Sequence, residues 1–308
     1  MKIQQDLDII GIGASTVDLL MPVDEFGGSE GAVELSGVRM AGGGPVATAC
    51  VVAAHLGVKT AMLDRVGTDW RGDLILKEFE TFNVCTEELV CCQGKESPLS
   101  VVQVRRRDGA RRIFWHPGTV KELVADELPV HWLRNCRYLH LNGRHSEAAL
   151  AAAELVEGNG DNIVSFDGGG GRYSEKVHEF VGLVDWWIVA RNFATAWLGD
   201  MPVEEQVRKL LDVGKGCLAG ITDGGNGAWF VCDDGQEWHQ PAYPPQKVVD
   251  TTGCGDVFHG AFLASHARGM GCKEAGRIAA WVASCKAGGF GGRANLPRWQ
   301  DCQKLKEA

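Results

Sequence analysis

No window of this sequence reaches the roughly 20 consecutive apolar residues that a membrane-spanning helix needs. The opening MKIQQDLDIIGIG puts acids before its short apolar run, so the basic-then-hydrophobic order of a secretory signal is missing. An excess of positive charge is missing too. The 31 Lys and Arg stand against 40 Asp and Glu, a net charge of -9, which disfavours a surface that coats nucleic acid. The eleven cysteines, including the adjacent pair Cys91-Cys92, lack metal-ligand spacing, and no close His-Cys cluster suits zinc. Their odd number predicts reduced thiols and a cytoplasmic protein. Two common phosphate-handling devices are absent: there is no G-x-x-x-x-G-K-[ST] loop, and no protein-kinase pairing of catalytic and metal loops. What remains is a 308-residue chain, 45% hydrophobic and 23% charged. It is long enough for one large α/β core with an appendage, or for two ordinary domains.

Apolar runs and helical stripes alternate along most of this length. Strands are expected at 7–13, 59–66, 138–141, 162–166, 185–190 and 217–222, and helices at 47–56, 69–79, 146–157, 203–212, 255–268 and 272–285. That rhythm predicts a mostly parallel sheet with helices on both faces. Two segments break it. Residues 20–40 are glycine-rich with alternating Val33, Leu35 and Val38, and residues 98–117 contain SVVQVRRRDGARRIFW with Asp108-Gly109 as a hairpin turn. They are expected to form a discontinuous β lid over a core of 1–19, 41–97 and 118–308. The free face or edge of such a lid is a candidate for homodimerisation.

The chain is organised around Val248 to Phe262, VVDTTGCGDVFHGAF. Gly253 and Gly255, flanking Cys254, allow a tight turn with unobstructed N–H groups, and the helix that follows adds its positive end. A carboxylate beside such a pocket suits an anion that is transferred rather than stored, because ground-state carboxylate and phosphate repel. The expectation is phosphoryl transfer, with Asp256 taking the proton of an attacking hydroxyl. Other polar groups gather after the strands. Ala14 to Asp18 reads as a polar turn, with Asp18 at the sheet's carboxyl edge. Its GIGAST has two glycines of a dinucleotide fingerprint but lacks the third, and Pro22 follows too soon for the helix. Gly42, Gly43 and Gly44 open a helix at Pro45. Asn142, Arg144 and His145 end one strand, Asp167 and four glycines another, and Asn192 and Thr222-Asp223-Gly224-Gly225 two more. His55 and His259 lie on expected helices without a ligand-spaced partner and read as structural.

These motifs, in this order across essentially the whole chain, resemble the ribokinase or PfkB carbohydrate kinase family. The match is carried by Asp250-Thr251-Thr252-Gly253-Cys254-Gly255-Asp256, the Gly43-Gly44 helix entrance, Asp64-Arg65-Val66-Gly67 and Thr222-Asp223-Gly224-Gly225-Asn226-Gly227. The resemblance implies an α/β, ribokinase-like doubly wound sheet with a small discontinuous β lid. It makes Asp256 the general base, and Gly253, Cys254 and Gly255 the backbone anion hole. Asp18, Gly43, Gly44 and Thr48 would bind the acceptor, with Thr48 standing where an Asn is common. Asn192, Thr222, Gly224 and Gly227 would approach ATP, whose phosphates Mg²⁺ would neutralise. Asp250 and Thr252 are candidates for a K⁺ site or for simple turn caps.

Cys254 replaces a frequent alanine, and a backbone anion hole makes covalent thiol chemistry unexpected. The usual N-x-x-E survives only as Asn192 to Thr195. Motif detail is similar to ketohexokinase-like and sulfofructose-kinase members, which implies transfer of the γ-phosphoryl to a primary hydroxyl of a ketose or acidic ketose derivative. Arg144 and His145, aided by Arg105, Arg107, Arg111 or Arg112, can read an anionic tail, although an arginine run also suits a solvated lid face. A nucleoside kinase and a non-catalytic sugar or nucleotide sensor are the alternatives. Each takes a small-molecule partner, with neither nucleic acid nor membrane.

Overall fold

The computed structural model describes residues 7–27, 30–157, 162–214 and 216–305. Residues 1–6, 158–161, 215 and 306–308 of the expected core and 28–29 of the expected lid lie outside it. Strands in chain order are β1 (Ile9–Ile12), β2 (Thr16–Val23), β3 (Arg39–Gly43), β4 (Thr60–Leu63), β5 (Arg65–Gly67), β6 (Val90–Cys92), β7 (Leu99–Arg105), β8 (Arg111–His116), β9 (Tyr138–Leu141), β10 (Ile163–Gly168), β11 (Trp186–Ala190), β12 (Leu218–Thr222), β13 (Ala228–Cys232) and β14 (Glu237–Gln240). Helices are α1 (Pro45–His55), α2 (Trp70–Thr81), α3 (Val130–Leu133), α4 (Ser146–Val156), α5 (Arg191–Leu198), α6 (Val203–Val213), α7 (Cys254–Ala267), α8 (Cys272–Ala287) and α9 (Trp299–Lys304).

Among the described residues the main sheet runs β14-β13-β12-β11-β10-β9-β1-β4. It is parallel from β12 to β4, and β13 and β14 are antiparallel at one edge. Its central strands are short apolar runs such as IIGI and YLHL with every residue buried. That follows from covering both faces with helices. On one face Leu139, Phe166 and Trp187 pack with Ala149 and Ala152 of α4 and Leu210 of α6. On the other, Ile9, Ile188 and Phe230 pack with Phe262 of α7 and Ile278 of α8. Gly260 lets α7 lie directly against α1, because a Cβ there would sit 2.4 Å from the Ala49 carbonyl oxygen.

The lid is a separate four-stranded sheet, β3-β2-β7-β8. It differs from expectation at its entry. Ala14 to Asp18 is not a polar turn, for Thr16 already begins β2 and Asp18 sits within that strand. The alternation of Val33, Leu35 and Val38 does not make a strand either; these residues are loop, with Val33 79% and Val38 57% exposed, and the paired segment is β3 further on. The expected strand 59–66 divides at Asp64 into β4 and β5, which belong to different sheets. At the lid's tip, Gly109 adopts φ +67°, and its carbonyl accepts from Thr251 N–H at 3.0 Å and Thr251 Oγ1 at 2.9 Å. The hairpin thereby rests on the segment that leads into the Gly-Cys-Gly turn.

Candidate active site

A cleft of about 1630 Å³ lies between the lid and the carboxyl ends of the parallel strands. Gly253, the residue before α7, adopts φ +76° and ψ 1°, and no side chain caps the helix. Residues with a Cβ avoid this left-handed conformation. A Cβ at Gly253 would also lie 2.8 Å from the Gly292 carbonyl oxygen. Gly255 meets nothing within 4 Å, so its face is open to a ligand. The amides of the first turn of a helix have no intrahelical acceptor. Here Cys254 N–H makes only a long 3.4 Å contact back to the Thr251 carbonyl, and Gly253, Cys254 and Gly255 all line the cleft. The Cys254 thiol faces the Ala283 carbonyl at 3.7 Å, and burial pushes it up from its ordinary value. The thiol thus packs against α8, and burial opposes its thiolate.

Asp256 lines the cleft one residue further on. Its carboxylate has no hydrogen bond or ion pair among the described residues. Burial first, then the Asp167 carboxylate, push its pKa from 3.8 up to about 6, while Arg172 and Arg111 pull it down. Asp167 is next to last in β10 and is 4% exposed. Burial alone would raise it, but Arg172 first, then His259 and His140, hold it below its ordinary value. The Arg172 guanidinium contacts both Asp167 oxygens at 3.0 Å. The four-glycine run makes this possible, since a Cβ at Gly169 would collide with the folded-back guanidinium. Arg172 is 34% exposed along its side chain and lines the cleft, which leaves it able to meet an anion. His259 Nε2 lies 3.4 Å from Asp167 Oδ1, and burial lowers its pKa. The histidine read as a structural helix residue thus backs the acid pair. Asp167 and Arg172 were missed as site residues, although an acid at a strand's end, four glycines and an arginine were visible together in the sequence.

Other expected residues divide into those the cleft gathers and those it does not. Asp18, Gly44, Arg144, Asn192, Thr222, Gly224, Gly227 and Thr252 line it. Asp18 is 8% exposed; burial raises its pKa, with the Thr16 hydroxyl at 2.9 Å opposing. Gly43 does not line the cleft. Its missing side chain makes room for the Asp18 carboxylate, which a Cβ would meet at 2.4 Å. Thr48 is also corrected from acceptor arm to support: it is 2% exposed, and its hydroxyl accepts from Arg293 Nε at 3.1 Å. Arg293, from the late glycine-rich turn, also donates to the Gly43 carbonyl at 3.0 Å.

His145 also stands apart from the cleft it was expected to line. It is 6% exposed, and both ring nitrogens are engaged. Nδ1 accepts from Leu123 N–H at 3.1 Å, which leaves Nε2 to donate to Asp64 Oδ1 at 2.7 Å. Asp64 also accepts from Ser15 N–H at 2.6 Å, so His145 fixes the backbone after β1 instead of reading a substrate. Asp250 lies beneath the turn, fully buried. Arg105 and Arg107 pair with Asp108 and Glu25 at the lid surface, in keeping with a solvated lid face. Arg111 alone of that run lines the cleft, and it donates to Thr251 Oγ1 at 3.2 Å.

The lid adds a row of side chains. Strand register sets Asp18 beside Ser100 and Ser100 beside Trp115, and all three line the cleft. Trp115 is 45% exposed, with the Arg144 guanidinium 4.3 Å from its ring centroid.

Comparison with known proteins bears on family and fold. The sequence profile described as pfkB family carbohydrate kinase matches residues 6–299. Ketohexokinase of Mus musculus is 24% identical over 300 residues, 94% of this chain and 99% of that one. Nucleoside kinase of Methanothermobacter thermautotrophicus is 24% identical over 296 residues, 95% of this chain and 93% of that one. Ribokinase of Arabidopsis thaliana, solved with ribose and ATP, superposes with a TM-score of 0.84 at 21% identity, covering 99% of this chain and 100% of that one. At that identity the likeness speaks for the fold.

Proposed function

Because this chain belongs to the pfkB family of carbohydrate kinases, we propose that it moves the γ-phosphoryl of ATP onto a primary hydroxyl of a ribose-bearing nucleoside. The coarser reading is an ATP-dependent sugar or nucleoside kinase acting on a small polar metabolite. The single observation behind the chemistry is Asp256, an unpaired carboxylate held up at about 6 beside an uncapped helix N-terminus. A base poised near neutral pH can take the acceptor's proton as the bond to phosphorus forms. The α7 amides and Arg172 face the place where negative charge develops. Mg²⁺ would neutralise charge on the nucleotide's phosphates. Among the described residues no cluster of three His, Cys, Asp or Glu forms a cage for it. The Thr195 hydroxyl, at the position of the absent glutamate, accepts from Gln206 Nε2 at 3.3 Å. Asn192, which lines the cleft, would stand on the nucleotide side with the ion's phosphates.

The acceptor class rests on the Asp18-Ser100-Trp115 row. Neighbouring strands lie about 4.8 Å apart, so sugar hydroxyls at Asp18 and Ser100 put a flat ring attached to that sugar over Trp115. The archaeal nucleoside kinase among the relatives supports this reading. The ketose or acidic ketose reading is kept by Arg144, which can pair an anionic tail, and by the mouse ketohexokinase. Release of ADP over a panel of nucleosides, neutral ketoses, ketose phosphates and sulfofructose tests the proposal. Accumulation of a nucleoside monophosphate supports it, and turnover confined to ketoses replaces it with the second reading. Saturable binding with no ADP released above the acceptor-free rate rejects a kinase in favour of a sensor.

A further inference from the structure

The expected K⁺ ligands do not suit a metal ion. Beneath the Gly-Cys-Gly turn, Asp250 Oδ1 accepts from Thr252 N–H at 2.7 Å and Oδ2 from Gly291 N–H at 2.8 Å. Its carbonyl oxygen accepts from Lys286 Nζ at 2.6 Å. Every Asp250 oxygen is thereby engaged, and of this set only Thr252 Oγ1 lacks a partner. The Asp250 carbonyl that a monovalent cation would use already holds an ammonium. Lys286 itself is 0% exposed, among the largest fully buried side chains of the protein. An ammonium is rarely sunk so far without a carboxylate pair, and here its one described hydrogen bond goes to main chain.

Its position gives the charge a use. Lys286 lies in the last turn of α8, where the helix dipole favours a cation. The same helix end clamps the approach to the turn, with the Ala287 carbonyl accepting from Val249 N–H at 2.8 Å and Asp250 N–H at 3.2 Å. We propose that Lys286 is a built-in monovalent cation: its ammonium fills the place under the anion-hole turn that K⁺ would take, holds the 250–253 backbone in register, and makes the protein indifferent to K⁺. Lys286 does not line the cleft, so it is a positioning residue. The inference rests on the kinase reading only for its activity arm.

The test compares KCl with choline chloride at equal ionic strength, on the wild type and on Lys286→Ala and Lys286→Met, by thermal melting and by ADP release. The wild type is expected to melt alike in both salts and to turn over within about twofold in both. Lys286→Ala, which vacates the position, is expected to gain a saturable K⁺-dependent rise in melting temperature, as a ligand bound only to the folded state produces. K⁺ or methylammonium is expected to restore part of its lost turnover. Lys286→Met keeps the volume without the charge, and is expected to lose turnover that no cation restores. A saturable K⁺ stabilisation of the wild type overturns the proposal. So does a Lys286→Ala protein, or an unrescued Lys286→Met protein where Ala does not fold, whose turnover matches the wild type. Failure of every form to release ADP in either salt sinks the kinase reading alone, and the melting comparison still decides about Lys286.

Discussion

Replacing Asp256 by Asn separates what the fold wants from what the reaction wants. Burial and the neighbouring Asp167 hold the Asp256 carboxyl at about 6 against an ordinary 3.8, a displacement of about two units at about 1.36 kcal/mol each. Asp256 is partly open to the cleft, where water screens it. The ionised side chain therefore costs the fold ~1–3 kcal/mol at neutral pH. An amide of the same shape removes that cost, and for a chain of this length the melting temperature should rise by roughly 2–5 °C. The sign depends on pH. The folded pKa is raised, so the penalty is absent below about 3.8, grows as pH rises through about 6, and is full above it. The advantage of Asn should accordingly be present at pH 7.5 and fade toward pH 4.5. Over the same change, turnover should fall ~10²- to 10⁴-fold, the range of a lost general base, with nucleotide affinity nearly kept. Melting curves at the two pH values and single-turnover ADP release are the measurements. A stable Asn variant with turnover within tenfold of wild type refutes the assignment of the base. A lower melting temperature at pH 7.5 refutes the electrostatics.

Two further outcomes follow from the same site. The kcat/KM profile should rise through an apparent pKa near 6 and level off above it, because Asp256 must be ionised to accept a proton; an acid limb near 4 would mean that burial does not set the base. Gly253→Ala puts a Cβ 2.8 Å from the Gly292 carbonyl oxygen at φ +76°. It should cost ~1–3 kcal/mol of stability and lower kcat more than it raises the KM for the acceptor, as denaturation midpoints and steady-state kinetics would report.

By itself the sequence determined the parallel core, because strands covered on both faces must be largely apolar, and runs such as IIGI and WWIVA are legible without neighbours. The Gly-Cys-Gly-Asp turn was legible for a similar reason, since φ +76° at Gly253 is a local demand that only glycine meets cheaply. The lid's entry was not, because β2 takes its place in that sheet from parallel pairing with β7, a partner remote in the chain. Tertiary structure alone decided the roles of His145, Thr48 and Lys286. Each owes its role to a partner from 36 to 245 residues away: Asp64 for His145, Arg293 for Thr48, and the Asp250 carbonyl for Lys286. Whether such a side chain faces a ligand or props the backbone beneath one depends on long-range packing, which residue type and spacing do not encode.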